Sequence, residues 1–186
     1  MLKKLSRFIA ICLVIFLVTI IFLKFSGFYQ KIFYPIKYEN YVVEYSDKYD
    51  MDKYLIYSVI KTESNFDEKA VSNVGARGLM QLMEEAYDWV KYRMGDDRNI
   101  TYDEMFNAEY NIEYGTYMLM LLRSEYGNDE TAIAAYHAGR SAVNGWLKNS
   151  EYSSDGKTLT KIPSKSTAHY VSKVIKAYEG YKNLYN

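Results

Sequence analysis

One glutamate in this chain stands where a glutamate is out of place. Glu63 follows Ile56, Val59 and Ile60 at the spacing of a single helix face. A surface Glu belongs on the opposite face. The last turn of a helix is also the end at which the macrodipole disfavours negative charge. Burial and the negative helix end both penalise the ionised form, so both push the carboxyl pKa up. A carboxyl that stays protonated near neutral pH can act as a general acid toward a leaving oxygen such as that of a glycoside. The plain alternative is a structural Glu paired with Lys61 or Arg77, and spacing alone does not choose between the two.

A loop follows this residue. Gly75-Ala76-Arg77-Gly78-Leu79-Met80-Gln81 places two glycines ahead of an expected helix start, allowing positive φ and close backbone approach. Gln81, expected early in that helix, offers an amide suited to a sugar acetamido group. No metal or cofactor is implied. His137 and His169 are isolated from each other and lack ligand spacing. The only cysteine is Cys12, so no disulfide supports the chain.

The elements that must position these residues read as helices. Two prolines in 186 residues leave long stretches free to be helical, and no alternating strand of useful length is present. Helices are predicted over Glu39–Lys48 and, with Asp52 as N-cap, over Lys53–Glu63. Others are predicted over Leu79–Tyr92, Asn107–Tyr126 (ended by Gly127), Asn128 or Asp129–Ala138, Ala142–Lys148 and Thr167–Tyr181. Asn149–Lys161 is rich in Ser, Lys and Gly and reads as a mobile loop. Many of the 21 tyrosines, such as Tyr110, Tyr114 and Tyr117, fall at helical spacing and are expected in the core or at its rim.

The N-terminus differs from the rest. Lys3, Lys4 and Arg7 precede an apolar run from Phe8 to Leu23, closed by Lys24 and extended by Phe25, Gly27, Phe28 and Tyr29. This predicts a membrane anchor over 8–28, with a cytoplasmic basic flank over 1–7, a tether over 29–38 and a catalytic domain over 39–186. The basic flank stays inside, so the domain faces the outer, cell-wall side of a single-pass membrane protein. A cleaved signal peptide shares the basic start and apolar core, but no A-x-A arrangement follows the run. Residues 1–24 hold four basic residues and no acidic one, leaving 19 basic and 23 acidic residues beyond them, a net −4. A mildly acidic domain has no electrostatic case for nucleic acid.

Several segments carry a family resemblance. Glu63-Ser64-Asn65-Phe66, Ala70-Val71-Ser72 and Gly75 to Met83 resemble the core signature of the soluble lytic transglycosylase catalytic domain, the goose-type lysozyme-like fold. Asn111-Ile112 with Gly115 and Tyr117 resembles the family's N-I-x-x-G-x-x-Y helix. Ala135-Tyr136-His137-Ala138-Gly139 with Val143 and Trp146-Leu147 resembles A-Y-N-A-G…V-x-x-W-L. Ile162-Pro163, Thr167 and Tyr170-Val171 resemble its closing I-P-x-x-E-T-x-x-Y-V. The match covers about residues 40 to 182 and implies an all-α lysozyme-like domain behind a single N-terminal transmembrane helix.

The resemblance also implies roles. Glu63 matches the single catalytic acid/base. Ser72, Gln81 and Met83 match positions lining the saccharide cleft, Tyr136 a tyrosine that approaches the catalytic Glu, and Tyr170 a tyrosine of the final segment. His137 stands where the family usually has Asn, and Ser166 where it usually has Glu. His137 adds a second titrating group beside the cleft, or is a packed His with its polar edge satisfied. The implied reaction is cleavage of the β-1,4 bond between N-acetylmuramic acid and N-acetylglucosamine in peptidoglycan, with formation of a 1,6-anhydro end. A hydrolase of the same fold would use the same Glu with water, and Asp67, Glu68, Glu84 and Glu85 are acids that could serve it. A non-catalytic wall-binding domain is the reading from outside enzymology.

Overall fold

The computed structural model describes residues 2–25 and 31–185, so residues 26–28 of the predicted anchor and 29–30 of the predicted tether lie outside the described residues. Helix α1 (Leu2–Phe25) is long and apolar enough to cross a membrane. Its Ser6–Leu23 stretch has mean hydropathy 2.7 and none of it is buried by the rest of the chain.

The domain beyond it is helical. Its elements are α2 (Glu39–Lys48), α3 (Lys53–Glu63), α4 (Glu84–Met94), a 3₁₀ turn over Tyr102–Phe106, α5 (Ala108–Tyr126), α6 (Asp129–Ala138), α7 (Arg140–Leu147) and α8 (Lys165–Tyr185). The only β-type pairing among the described residues is a pair of isolated bridges, Val71 with Arg77 and Arg77 with Leu82.

Two helices form the centre. In α3 every residue from Tyr54 to Ile60 is buried, so the predicted stripe of Ile56, Val59 and Ile60 is the middle of a helix enclosed on all sides. α5 buries Ile112, Tyr114, Leu119 and Leu122, with Asn111 and Glu113 also inside. The expected caps hold: Asp52 accepts from the Tyr54 amide at 2.8 Å, Asn128 from the Thr131 amide at 2.7 Å, and Gly127 ends α5 in the left-handed conformation. The tyrosines pack as expected. Tyr114 stacks on Tyr87 with centroids 5.3 Å apart and donates to Asp96 at 2.6 Å.

Glu113 is a buried charge that sequence reading passes over. It accepts from Lys48 at 2.9 Å, Tyr49 at 3.2 Å and Arg98 at 2.8 Å, so both carboxylate oxygens are satisfied. This joins α2, the segment after α4 and α5.

α3 and α8 lie antiparallel. Tyr54, at the start of α3, donates to the Tyr185 carbonyl at 2.9 Å, while Glu63 at its end meets Tyr170. The residues before α2 are strapped along this pair. Tyr34 packs edge-on to Tyr181 at 5.2 Å, Tyr181 donates to the Pro35 carbonyl at 3.1 Å and Tyr185 to the Tyr34 carbonyl at 2.7 Å. Residues 34–36 of the expected tether are therefore fixed on the domain.

Three expectations are corrected. The helix predicted from Leu79 begins at Glu84, because Gly78 (φ 74°) and Gln81 (φ 50°) turn the chain out of helical geometry. α8 extends to Tyr185 because its last turn still buries Tyr181. The Asn149–Lys161 segment is not a loose loop. Asp155 accepts from Ser153, Lys157 and Thr158, and buried Leu159 donates its amide to Thr131 at 3.0 Å.

Gly180 leaves the room into which the Tyr34 ring fits, and a Cβ there would run into that ring. Gly180→Ala is expected to unseat residues 34–36, giving new proteolytic cleavage before α2 with only about 1 kcal/mol lost from global stability in urea unfolding.

Candidate active site

Glu63 is the last residue of α3 and is partly buried. Neither Lys61 nor Arg77 pairs with it. Arg77 bonds Asp103 at 2.6 Å and lies over the Tyr102 ring, and Lys61 lies over Tyr34. Glu63 instead accepts at Oε1 from the Tyr170 hydroxyl at 2.6 Å. Its pKa is pushed up to about 7 by burial, against smaller lowering effects of the Tyr170 hydrogen bond and the Lys173 charge. The burial expected from the sequence is the first cause of the rise. Lys173 sits one helical turn beyond Tyr170, a signal the sequence offered through i, i+3 spacing.

The loop over 77–82 is fixed by polar side chains from three helices. Ser64, capping α3, donates to the Leu79 carbonyl at 2.8 Å. Asn111 of α5 accepts from the Met80 amide at 2.7 Å and donates to the carbonyls of Arg77 (3.0 Å) and Met105 (2.8 Å). Tyr136 of α6 donates to the Met80 carbonyl at 2.8 Å. The loop and α5 approach closely: a Cβ at Gly78 would strike the Met105 carbonyl and the Asn111 amide, and one at Gly115 would strike the Met80 side chain. Asn111 and Gly115 share one face of α5, which is why an N-x-x-x-G spacing receives this loop.

The expected cleft residues divide into two groups. Tyr136 and Tyr170 come together at Glu63: both are buried, and the Glu63 charge helps raise the pKa of each well above the usual phenol range, after burial itself. The hydrogen bond to Glu63 comes from Tyr170, while the Tyr136 hydroxyl is committed to Met80. His137 stacks on Tyr170 with ring centroids 4.5 Å apart, its Nδ1 3.2 Å from Thr167 Oγ1. Partial burial lowers the pKa of this imidazole, although more than a third of the residue stays exposed.

The other three belong to the loop. Ser72 Oγ accepts from the amides of Val74 (3.3 Å) and Ala76 (3.0 Å). Gln81 lies in the turn before α4, and its amide nitrogen donates to the carbonyls of Ala70 (3.1 Å) and Gly78 (2.9 Å), so its donor side braces the loop. Met83 is the N-cap residue of α4 and is 39% exposed. Sequence reading gave Ser64, Asn111 and Thr167 no individual role, because their partners lie far along the chain. Among the described residues no cluster of His, Cys, Asp or Glu could hold a metal ion.

This arrangement, a helical domain with one partly buried, uncharged-leaning carboxyl facing a tyrosine pair, has known counterparts. Residues 40–159 match the family model described as the transglycosylase SLT domain. The chain is 33% identical over 152 residues to the soluble lytic murein transglycosylase of Salmonella typhimurium, covering 80% of this chain and 23% of that protein. It is 31% identical over 169 residues to the membrane-bound lytic murein transglycosylase C of Glaesserella parasuis, covering 80% and 46%. Among solved structures it resembles an inactive Glu-to-Gln mutant of the lytic transglycosylase Slt from Pseudomonas aeruginosa, with TM-score 0.72, 28% identity and coverage of 83% and 25%. The 70 kDa soluble lytic transglycosylase of Escherichia coli gives TM-score 0.74 at 25% identity, with the same coverage. The chain belongs to the transglycosylase SLT domain family. It spans about a quarter of the soluble relatives and just under half of the membrane-bound one.

The raised pKa of Glu63 sets a stability signature. Below about pH 4.5 the carboxyl is protonated in both folded and unfolded chains; between there and about 7 only the unfolded chain ionises, so folding loses stability as pH rises. Above that range the full cost, about 3 kcal/mol, is present. Glu63→Gln removes it, so the variant is expected to gain about 2–3 kcal/mol over the parent in urea unfolding at pH 8 and little at pH 4.5.

Proposed function

We propose that this chain is a peptidoglycan lytic transglycosylase, held at the membrane by α1 with its helical domain on the cell-wall side. The observation that carries the reading is Glu63: a partly buried carboxyl with a pKa near 7 whose hydrogen-bond partner is a tyrosine and not a cation.

Such a group is protonated in much of the population at neutral pH and can give its proton to the oxygen linking N-acetylmuramic acid to N-acetylglucosamine. The resulting carboxylate is stabilised by the Tyr170 hydroxyl and by the Lys173 charge, the two influences that lower its pKa. It then takes the proton from the C6 hydroxyl of the muramic sugar, which closes the 1,6-anhydro ring. Because the nucleophile belongs to the same sugar, its attack carries no cost of bringing in a second molecule. One acid therefore serves both halves of the reaction.

The positions of the other acids favour this one-carboxylate scheme over hydrolysis. Asp67 accepts from the Lys69 amide of its own loop at 2.9 Å, Glu68 accepts from Tyr38 at the start of α2 at 3.5 Å, and Glu84 and Glu85 open α4. The groups acting on the Glu63 pKa are Tyr170 and Lys173, with no carboxylate among them. The names of the relatives point the same way, as does the inactive Glu-to-Gln mutant of the Pseudomonas enzyme. Ser72, Gln81, Met83, Tyr136, His137 and Tyr170 are proposed to line the saccharide path.

Full-length protein in detergent, incubated with purified peptidoglycan, is expected to release muropeptides with 1,6-anhydro ends by mass spectrometry. Release should fall ~10²–10⁴-fold in Glu63→Gln, and fall above pH 7 as Glu63 ionises. Products with reducing muramic acid ends would move the assignment to a hydrolase, and undiminished release by Glu63→Gln would remove Glu63 as the acid.

A further inference from the structure

His137 takes no part in the proton transfers above, yet it is built into the support of the acid. Its ring lies at 29° to the ring of Tyr170 with 4.5 Å between centroids, and the hydroxyl of that same Tyr170 is the donor to Glu63. Behind it, Nδ1 meets Thr167 Oγ1 at 3.2 Å, Thr167 donates to Ser164 Oγ at 3.1 Å, and Ser164 Oγ lies 2.9 Å from Ser166 Oγ. A string of hydroxyls from the start of α8 thus fixes the imidazole, the imidazole backs the phenol, and the phenol holds the carboxyl.

We propose that His137 is a positioning residue for Glu63, acting through the Tyr170 ring. Neutral His137 keeps the phenol seated on Oε1. Charged His137 places a cation against the ring face, draws electron density from the phenol and makes its hydroxyl a stronger donor to the Glu63 carboxylate. The carboxylate then becomes a weaker base for the C6 proton, so the second half of the reaction slows as His137 charges. This rests on the reading of Glu63 as the acid and base.

Of the groups around Tyr170, Glu63 ionises at about 7 and sets the alkaline limb, which leaves the acid limb to His137. Glu63 and Tyr136 lie beyond Tyr170, and both phenols have pKa values raised well above their usual range. Lys173 of α8 acts on Glu63, lowering its pKa. Arg140, at the start of α7, is tied to Glu125 at 2.8 Å and lies over Trp89. Exposed His169 precedes Tyr170 in α8, so a His169→Gln control separates its effect from that of His137.

The test is the pH profile of anhydromuropeptide release by the full chain, with kcat and KM measured at each pH. The parent is expected to lose kcat on an acid limb below pH 6.5 as well as on the alkaline limb. His137→Phe keeps a stacked ring without a titrating group and should lose the acid limb; His137→Asn should lose it too and serves if Phe misfolds. His169→Gln should retain it. His137→Ala removes the stack, so kcat should drop ~10-fold with KM within about twofold, and the alkaline limb should move to higher pH as the Tyr170 bond slackens. An acid limb that persists in both His137→Phe and His137→Asn overturns the proposal, as does a His137→Ala variant changed only in KM. If Glu63→Gln is active, the functional reading itself fails. An inactive Glu63→Gln with an unaltered His137→Phe profile refutes the role of His137 alone.

Discussion

The peptide of Met80 is the joint on which this domain depends. Its amide is held by Asn111 from α5 and its carbonyl by Tyr136 from α6, while the neighbouring Leu79 carbonyl is held by Ser64 at the end of α3. All of these groups are buried or nearly so, and a buried peptide left unpaired costs about 1–3 kcal/mol per group. The loop therefore cannot drift from any one helix without stranding polar atoms. Since Ser64 adjoins Glu63, the same bonds that close the loop also fix where the Glu63 carboxyl emerges from α3.

That joint explains why residue types so different in character recur at set distances. Asn111 must be an amide because it both accepts and donates at one site. Gly78 and Gly115 must lack side chains because the backbone and Met80 occupy that space. Tyr136 must reach across with a hydroxyl. None of these residues need touch a sugar to be required; several that the sequence reading set in the cleft, Ser72 and Gln81 above all, spend their hydrogen bonds on the loop itself.

Much of the fold was legible in the sequence because helix ends and helix faces are local chemistry. Asp52, Gly127 and Asn128 announce their caps, and the apolar spacing through α3 and α5 announces the core. The helix start at Leu79 was misread because positive φ at Gln81 is imposed by tertiary bonds to Ala70 and Gly78, which no propensity encodes. Glu63 was legible as a misplaced carboxyl. Its partner was not, since 107 residues separate it from Tyr170 and only the antiparallel packing of α3 on α8 brings them together. Lys61 and Arg77, the cations the sequence offers as partners, each lie over an aromatic ring elsewhere.

The strapping of Tyr34 and Pro35 along α8 has a mechanical consequence. The chain joins the domain at the Tyr181–Tyr185 end of α8, whereas Glu63 lies beside Tyr170. At ~1.5 Å per residue those points are about 22 Å apart along the helix. With α1 in a bilayer, the stretch from Phe25 to Tyr34 adds at most about 30 Å when fully extended. The two lengths together define a working depth of about 50 Å above the lipid, a ceiling set by backbone rise and not by affinity for the polymer. On the proposed reading, glycan lying deeper in the wall would be chemically identical and geometrically out of range.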